Sequence, residues 1–318
     1  MFRYVLKRIL FLIPVLLGVI FLVFFIMNLT PTDAADVILG TEGTAEDLMR
    51  LRHEMGLDRA LPVRFISYLN GLLHGDMGVS YSDGSSVFVS VMEKFPNTIL
   101  LALSSVLVAV IIGIPAGIIS ARKQYTIFDN FVTVFALINA AVPGFWMGLV
   151  AVLFFSVKLG WLPAAGMGEG FWGTLKSLLL PAITVSANTC AMVTRQTRSS
   201  MLEVMRQDYI DTARSKGIAE SAIIVFHMLH NALIPIITVI GLQIGVLLGG
   251  SVITENVFAW PGLGRFVVDA IKSRDTPVVL GCVVVISVMF SVVNLVVDIL
   301  YAYVDPRIKS QYARKTRR

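Results

Sequence analysis

The sequence predicts an all-α, polytopic membrane protein: a bundle of about six transmembrane helices with a small extracytoplasmic cap segment. Of its 318 residues, 56% are hydrophobic and 15% are charged, and the mean hydropathy is +0.79. An ordinary soluble domain carries roughly 25% charged residues. The apolar residues fall in long runs that recur along the chain, and basic residues flank those runs. A water-soluble core explains this pattern poorly.

Six apolar runs reach or approach the length needed to cross a bilayer, which is roughly 20 helical residues for a hydrocarbon core of about 30 Å. They cover residues 9–29, 98–121, 131–157, 178–194, 232–253 and 278–303. The fourth run is the weakest because Pro181 and polar residues interrupt it. The first run is longer than the apolar core of a signal peptide, which is about 7–15 residues. We therefore expect it to remain as a helix.

Basic residues predict the orientation of these spans. With the N-terminus inside, the cytoplasmic segments hold more than half of the Lys and Arg residues, as the positive-inside rule requires. The prediction is a multi-pass inner-membrane protein with both termini in the cytoplasm. Residues 1–30 form the first transmembrane helix and residues 31–96 an extracytoplasmic segment. Residues 97–304 form a five-helix core with a cytoplasmic loop at 195–231, and residues 305–318 a basic tail.

Polar residues inside the spans are candidates for a translocation path, because they are costly in lipid unless they face protein or water. The candidates are Asn139, Asn188, Gln243 and Gly245. Gly245 belongs to a strip with Gly241 and Gly249, and glycines at this spacing let another helix approach closely. Helix packing is the simpler interpretation of the glycine strip. For each polar residue, the simpler interpretation is a hydrogen bond to a neighbouring helix.

The loop at 195–231 changes to mixed charge but keeps apolar residues at helical spacing, including Met201, Met205 and Tyr209. It predicts a cytoplasmic hairpin of two helices, the second of which ends at Gly217. Such a hairpin either lies on anionic lipid or docks into a partner protein. Acidic residues dilute its positive charge, which favours a protein partner.

The run Tyr209-Ile-Asp-Thr-Ala-Arg-Ser-Lys-Gly-Ile218 resembles the EAA motif of ABC importer permeases. Asp211 and Thr212 stand where the general motif has Glu and Ala, as the peptide and nickel branch of the family tolerates. Other segments resemble the B-type permease of that branch over essentially the whole chain. They are residues 56–62, 75–80, 141–146, 255–264 and 298–307.

The resemblance implies a type I ABC importer permease for di- or oligopeptides, with a loop that couples it to an ATPase. The coupling residues are Glu203, Tyr209, Asp211, Ala213, Arg214, Lys216 and Gly217. The implied partners are a homologous second permease, two nucleotide-binding ATPase subunits, an extracytoplasmic solute-binding protein, the peptide and membrane lipid. The sequence contains no G-x-x-x-x-G-K-[ST] phosphate loop. ATP and Mg are therefore expected on the partner subunits, and this chain is expected to be non-catalytic, with no cofactor of its own.

Three alternatives remain open at this point. Nickel or another small solute would replace the peptide within the same class of transporter. A secondary transporter or channel would need no ATPase and is typically built from inverted repeats. A structural scaffold would leave the loop without a partner. His227 and His230 do not predict a metal site, and no basic patch with exposed aromatics indicates nucleic-acid binding.

Overall fold

The computed structural model describes residues 2–40 and 43–304, and its helices confirm the all-α class. The predicted basic tail, residues 305–318, lies outside the described residues. In chain order the α-helices are α1 Phe2–Leu29, α2 Ala34–Leu39, α3 Ala45–Glu54, α4 Leu61–Leu73, α5 Val87–Arg122, α6 Ile127–Ala141, α7 Gly144–Ala151, α8 Gly170–Met205, α9 Asp208–Ser215, α10 Glu220–Ala222, α11 His230–Gly250, α12 Val252–Val257, α13 Leu263–Lys272 and α14 Thr276–Val304. Two π-helical segments, Val152–Lys158 and Ile223–Leu229, follow α7 and α10.

Among the described residues, five helices are long and apolar enough to cross a membrane, and counting one bent pair as a single broken span gives six. This confirms a bundle of about six spans. The prediction of one continuous helix over residues 131–157 is wrong, because α6 and the helical segment Gly144–Lys158 meet at an angle of 103°. Pro143 lacks an amide donor and excludes helical geometry from the residue before it. Val142 is accordingly extended, with φ −81° and ψ 130°.

The cytoplasmic hairpin also needs correction. Its predicted first helix is the end of α8, which runs unbroken for 36 residues from Gly170 to Met205. No new helix begins after Thr194, because the polarity of the sequence changes there while its helical periodicity continues. Only the second helix, α9, is separate, and a short turn at Arg206 and Gln207 connects it to α8.

The described residues form two compact units, neither of which is continuous in sequence. The first unit combines the chain up to Ile99 with Trp260–Ser291. The predicted cap segment contributes α2, α3 and α4 to it. Phe65 of α4 packs on Phe24 of α1 with ring centroids 5.3 Å apart. The core of this unit continues through the start of α5, α13 and the start of α14.

The second unit combines Leu100–Ala259 with the described residues from Val292 onward. Glycines bring its helices close together. A Cβ placed at Gly117 of α5 would lie 2.7 Å from the Thr194 carbonyl oxygen of α8. A Cβ at Gly241 of α11 would meet the side chain of Val297. The packing interpretation of the glycine strip is therefore confirmed at Gly241, whereas Gly249 faces open space.

Candidate coupling helix and translocation cavity

Helix α9 ends in a cap that requires glycine. Gly217 has φ +74°, in the left-handed region that L side chains rarely adopt. Its amide donates to the Arg214 carbonyl at 2.9 Å, and the Ile218 amide donates to the Ala213 carbonyl at 3.3 Å. This pair of bonds is a Schellman motif. A Cβ at Gly217 would meet nothing within 4 Å, so the requirement is conformational and not spatial.

The two faces of α9 differ in exposure. Ile210 and Ala213 are buried in a cluster with Met201 at the end of α8 and with Ile223 and Met228 of the second π-helical segment. This cluster anchors the helix to its own chain. Tyr209, Asp211 and Lys216 are exposed, as is Glu203 in the last turn of α8. Among the predicted coupling residues, Ala213 therefore faces inward and contributes packing, while the exposed side chains are free to meet another protein.

Arg214 holds the far end of α9 through charge. Its guanidinium lies 3.3 Å from Asp211 and 3.3 Å from Glu220, which begins the next helix. The hydrogen bond to Glu220 is the main cause that raises the pKa of Arg214 above its usual value. All three side chains are at least 39% exposed, so solvent screens the network and its contribution to stability is small. The network connects the end of α9 with the first residue of α10.

The first turn of α6 contributes a buried acid, Asp129, to an ion pair with the half-buried Arg198 of α8, which sequence reasoning missed. Asp129 is 2% exposed and binds the Arg198 guanidinium through both oxygens at 2.7 Å. It also accepts hydrogen bonds from the Ser120 hydroxyl and, at 2.9 Å, from the Tyr125 amide. The network joins the end of α5, the start of α6 and α8. The signal in the sequence was a single acidic residue just before an apolar run. It does not reveal the partner, Arg198, which lies 69 residues away.

A cavity of about 150 Å³ opens at the break between α6 and α7. Asn139 and Asn188, two of the predicted path residues, both line it, together with Thr184 and Thr254. Asn139 is 8% exposed, and its amide donates to the Phe135 carbonyl at 2.8 Å. Asn188 is exposed. The bent span therefore borders a cavity whose lining includes several polar groups.

The other two predicted path residues lie on α11 and do not line this cavity. Gln243 is half-buried and accepts a hydrogen bond from the Thr189 hydroxyl at 3.4 Å. Gly245 is buried. For Gln243 the structure thus shows the interhelical hydrogen bond that sequence reasoning offered as the alternative.

Membrane-length helices, a cavity lined in part by polar residues at a broken span and a short helix with one exposed face are features expected of a membrane subunit of a transport system. The chain belongs to the family of binding-protein-dependent transport system inner membrane components. The model of that family matches residues 113–310, and the model of its N-terminal part matches residues 1–102. It is therefore an inner-membrane permease component of an ABC transporter.

Curated relatives match almost the whole chain. The dipeptide transport system permease protein DppB of Alkalihalophilus pseudofirmus is 38% identical, with 97% of this chain and 100% of the relative covered. The oligopeptide transport system permease protein AppB of Bacillus subtilis is 39% identical, with the same coverage. A putative peptide transport system permease protein of Brucella abortus is 42% identical, with 96% of this chain and 98% of the relative covered.

A solved structure shares the fold. A chain of the MetNI methionine ABC transporter, in an inward-facing conformation, superposes with a TM-score of 0.57. The alignment covers 68% of this chain and 96% of that chain at 17% sequence identity. At this identity the likeness concerns the fold alone.

Proposed function

We propose that this chain forms half of the translocation pore of an ATP-driven importer for di- and oligopeptides. In this proposal a homologous permease forms the other half, and two cytoplasmic subunits bind ATP and Mg. An extracytoplasmic solute-binding protein delivers the peptide. Both termini face the cytoplasm. The named peptide permeases among the relatives, which match over nearly their full length, support the substrate class.

The observation that carries the coupling role is the two-sided character of α9. Ile210 on its inner face is fully buried in the permease, whereas Tyr209 on its outer face is 44% exposed. A short helix of this kind suits a groove on a partner subunit. A push on α9 would pass through the cluster around Met201 to α8 and through Ile223 to the segment that leads into α11.

Those two helices reach the cavity, which gives the coupling a physical route. Asn188 of α8 and Val246 of α11 both line the space at the broken span. When the ATPases close, α9 would move with them and tilt α8 and α11, which would change the access to the cavity. A ligand shifts such an equilibrium only if it binds the two states with different affinity. The loaded binding protein must therefore bind the outward-open state more tightly.

Substitutions at Gly217 test this function. Gly217→Val forces a β-branched residue into the left-handed region, at a cost of about 1–2 kcal/mol, whereas Gly217→Asn fits that region far better. We expect the Val variant to lose ATP-driven uptake of a labelled dipeptide and co-purification with a P-loop ATPase, and the Asn variant to retain most of both. Unchanged uptake in the Val variant would contradict the coupling role.

The substrate is tested separately from the coupling. Vesicles that contain the assembled complex and its binding protein are given a labelled dipeptide or labelled nickel, with and without ATP. We expect uptake of the dipeptide that depends on ATP. If only nickel is taken up, the substrate assignment is wrong but the proposed coupling to the ATPase still holds. Uptake without ATP would indicate a channel.

A further inference from the structure

We propose that the groove between α6 and α8 binds one anionic phospholipid. Its phosphate would lie on Arg195 and one of its acyl chains would run along the groove toward the middle of the membrane. The assignment to the cytoplasmic leaflet follows the orientation proposed above. The binding itself depends on neither ATP nor transport.

The groove has the shape of an acyl-chain site. Its volume is about 300 Å³, and its walls are Val132, Ala136 and Ala140 on α6 and Ala191 on α8. From Val132 to Ala140 the helix rises roughly 12 Å, at 1.5 Å per residue. Small side chains on both helices leave a channel of that length. The channel is apolar toward Ala140 and basic at the opposite end.

The basic end holds two arginines with different roles. Arg198 is already bound through two hydrogen bonds to Asp129, so its charge is balanced within the protein. Arg195 is exposed, and among the described residues its polar contact is the thioether sulfur of Met192, 3.2 Å from Nη2. A thioether is a weak acceptor and carries no charge. Among the described residues no ion pair involves Arg195, so its positive charge stands at the mouth of the groove without an acidic partner there.

The depth of Arg195 favours a lipid phosphate over water as its partner. Hydrogen bonds join Ser120 near the end of α5, Asp129 in the first turn of α6 and Arg198 of α8. Arg195 lies three residues nearer the centre of α8 than Arg198, which in the proposed orientation is roughly 4.5 Å further from the cytoplasmic end of the helix. A cation at that depth is costly unless it reaches an anion or the headgroup region. Basic pockets between transmembrane helices on the cytoplasmic side are typical sites for anionic headgroups.

Native mass spectrometry of the purified full chain, in whatever complex it forms, tests this proposal. Phosphatidylglycerol and phosphatidylcholine are the probes. We expect phosphatidylglycerol to be retained more strongly, and Arg195→Gln to lower its retention about tenfold, as expected for the loss of one hydrogen bond to a charged group. Arg122→Gln removes an exposed charge at the end of α5 that does not line the groove. It should leave retention unchanged. Equal retention in the wild type and in both variants would overturn the proposal.

The apolar part of the site has its own test. Ala136→Leu places a larger side chain in the groove and should lower the retention of phosphatidylglycerol. Glycerol phosphate, which has the same headgroup chemistry without acyl chains, should bind weakly to the wild type and to this variant alike. Tight binding of glycerol phosphate would show a site for a free anion and would overturn the lipid assignment. A crosslink from Ala136→Cys to a second polypeptide in the membrane would place protein in the groove and overturn it as well.

Discussion

Asp129 is almost fully buried beside Arg198, and an acid removed from water needs partners for both of its oxygens. Two guanidinium bonds, the Ser120 hydroxyl and the Tyr125 amide supply them. Breaking a buried pair of this kind by removing one member is strongly destabilising, because the other charge stays behind uncompensated. The ion pair between Asp269 and Lys272 is exposed, so solvent can compensate either charge when its partner is removed.

We expect Asp129→Ala to lower the free energy of unfolding by about 3 kcal/mol. The exposed control Asp269→Ala should cost less than about 1 kcal/mol. The thermal midpoint of the purified protein in detergent measures both changes. A similar small shift in the two variants would mean that Arg198 finds another partner, and that the network does not hold α5, α6 and α8 together.

Gly117 and Gly249 are both helical glycines, but the first is closely packed and the second faces open space. A Cβ at Gly117 would lie 2.6 Å from Thr197 Cβ, and the nearby Thr194 carbonyl belongs to the backbone and cannot turn away. A Cβ at Gly249 would meet nothing within 4 Å. We expect Gly117→Ala to force α5 and α8 apart and to destabilise the protein by roughly 1–3 kcal/mol. Gly249→Ala should be neutral or slightly stabilising, because alanine is the better helix former.

The thermal midpoints of these two alanine variants decide this prediction. Equal destabilisation at both positions would show that the close approach of α5 to α8 is not needed for stability. The same pair extends the packing argument to function, since only the Gly117 variant should alter uptake.

The broken span is the element that most changes the sequence-based description. Helix α6 ends at Ala141, and α7 begins at Gly144, after Pro143 at the N-cap. Val142 and Gly144 both line the cavity, so the break creates part of the space it borders. Unpaired backbone at membrane depth is tolerated where it lines a cavity or is covered by protein. The break at Pro143 therefore lies where the cavity can accommodate it.

We expect Pro143→Ala to restore a backbone donor and to allow Val142 into helical geometry, which would straighten the span and narrow the cavity. Uptake should fall while assembly with the ATPase is retained. Pro14→Ala is the matched control, because α1 runs unbroken through Pro14 and that residue is exposed. Uptake and co-purification of the two variants give the comparison. Equal uptake would indicate that Gly144 alone maintains the bend.

At the scale of the whole molecule, the proposed orientation places the cap segment outside and α9 inside. We expect Ser82→Cys to react with a membrane-impermeant maleimide on intact cells, and Ser215→Cys to react only after the membrane is opened. Both residues are exposed. The variants are made after the native Cys190 and Cys282 have been replaced by alanine. Labelling of Ser215→Cys on intact cells would reverse the orientation.

Sequence reasoning reached the all-α class, the number of spans and the capped end of α9, because each depends on neighbours in the chain. Apolar runs determine spans, and Gly217 signals a cap at a single position. The prediction from sequence failed at the bend in residues 131–157 and at the end of α8. In the first case the apolar run continues through Pro143. In the second the helix continues although the polarity changes at Thr194.

The sequence by itself determined that this is a membrane bundle with a conspicuous polar loop, since hydropathy and local motifs are properties of the chain alone. Only the tertiary structure decided which face of α9 is free, which of the polar path residues share a cavity, and how Asp129 is neutralised. Those features depend on contacts between residues far apart in sequence, such as Asp129 and Arg198. No local pattern encodes the partner, because the geometry that brings the two together is the folded bundle.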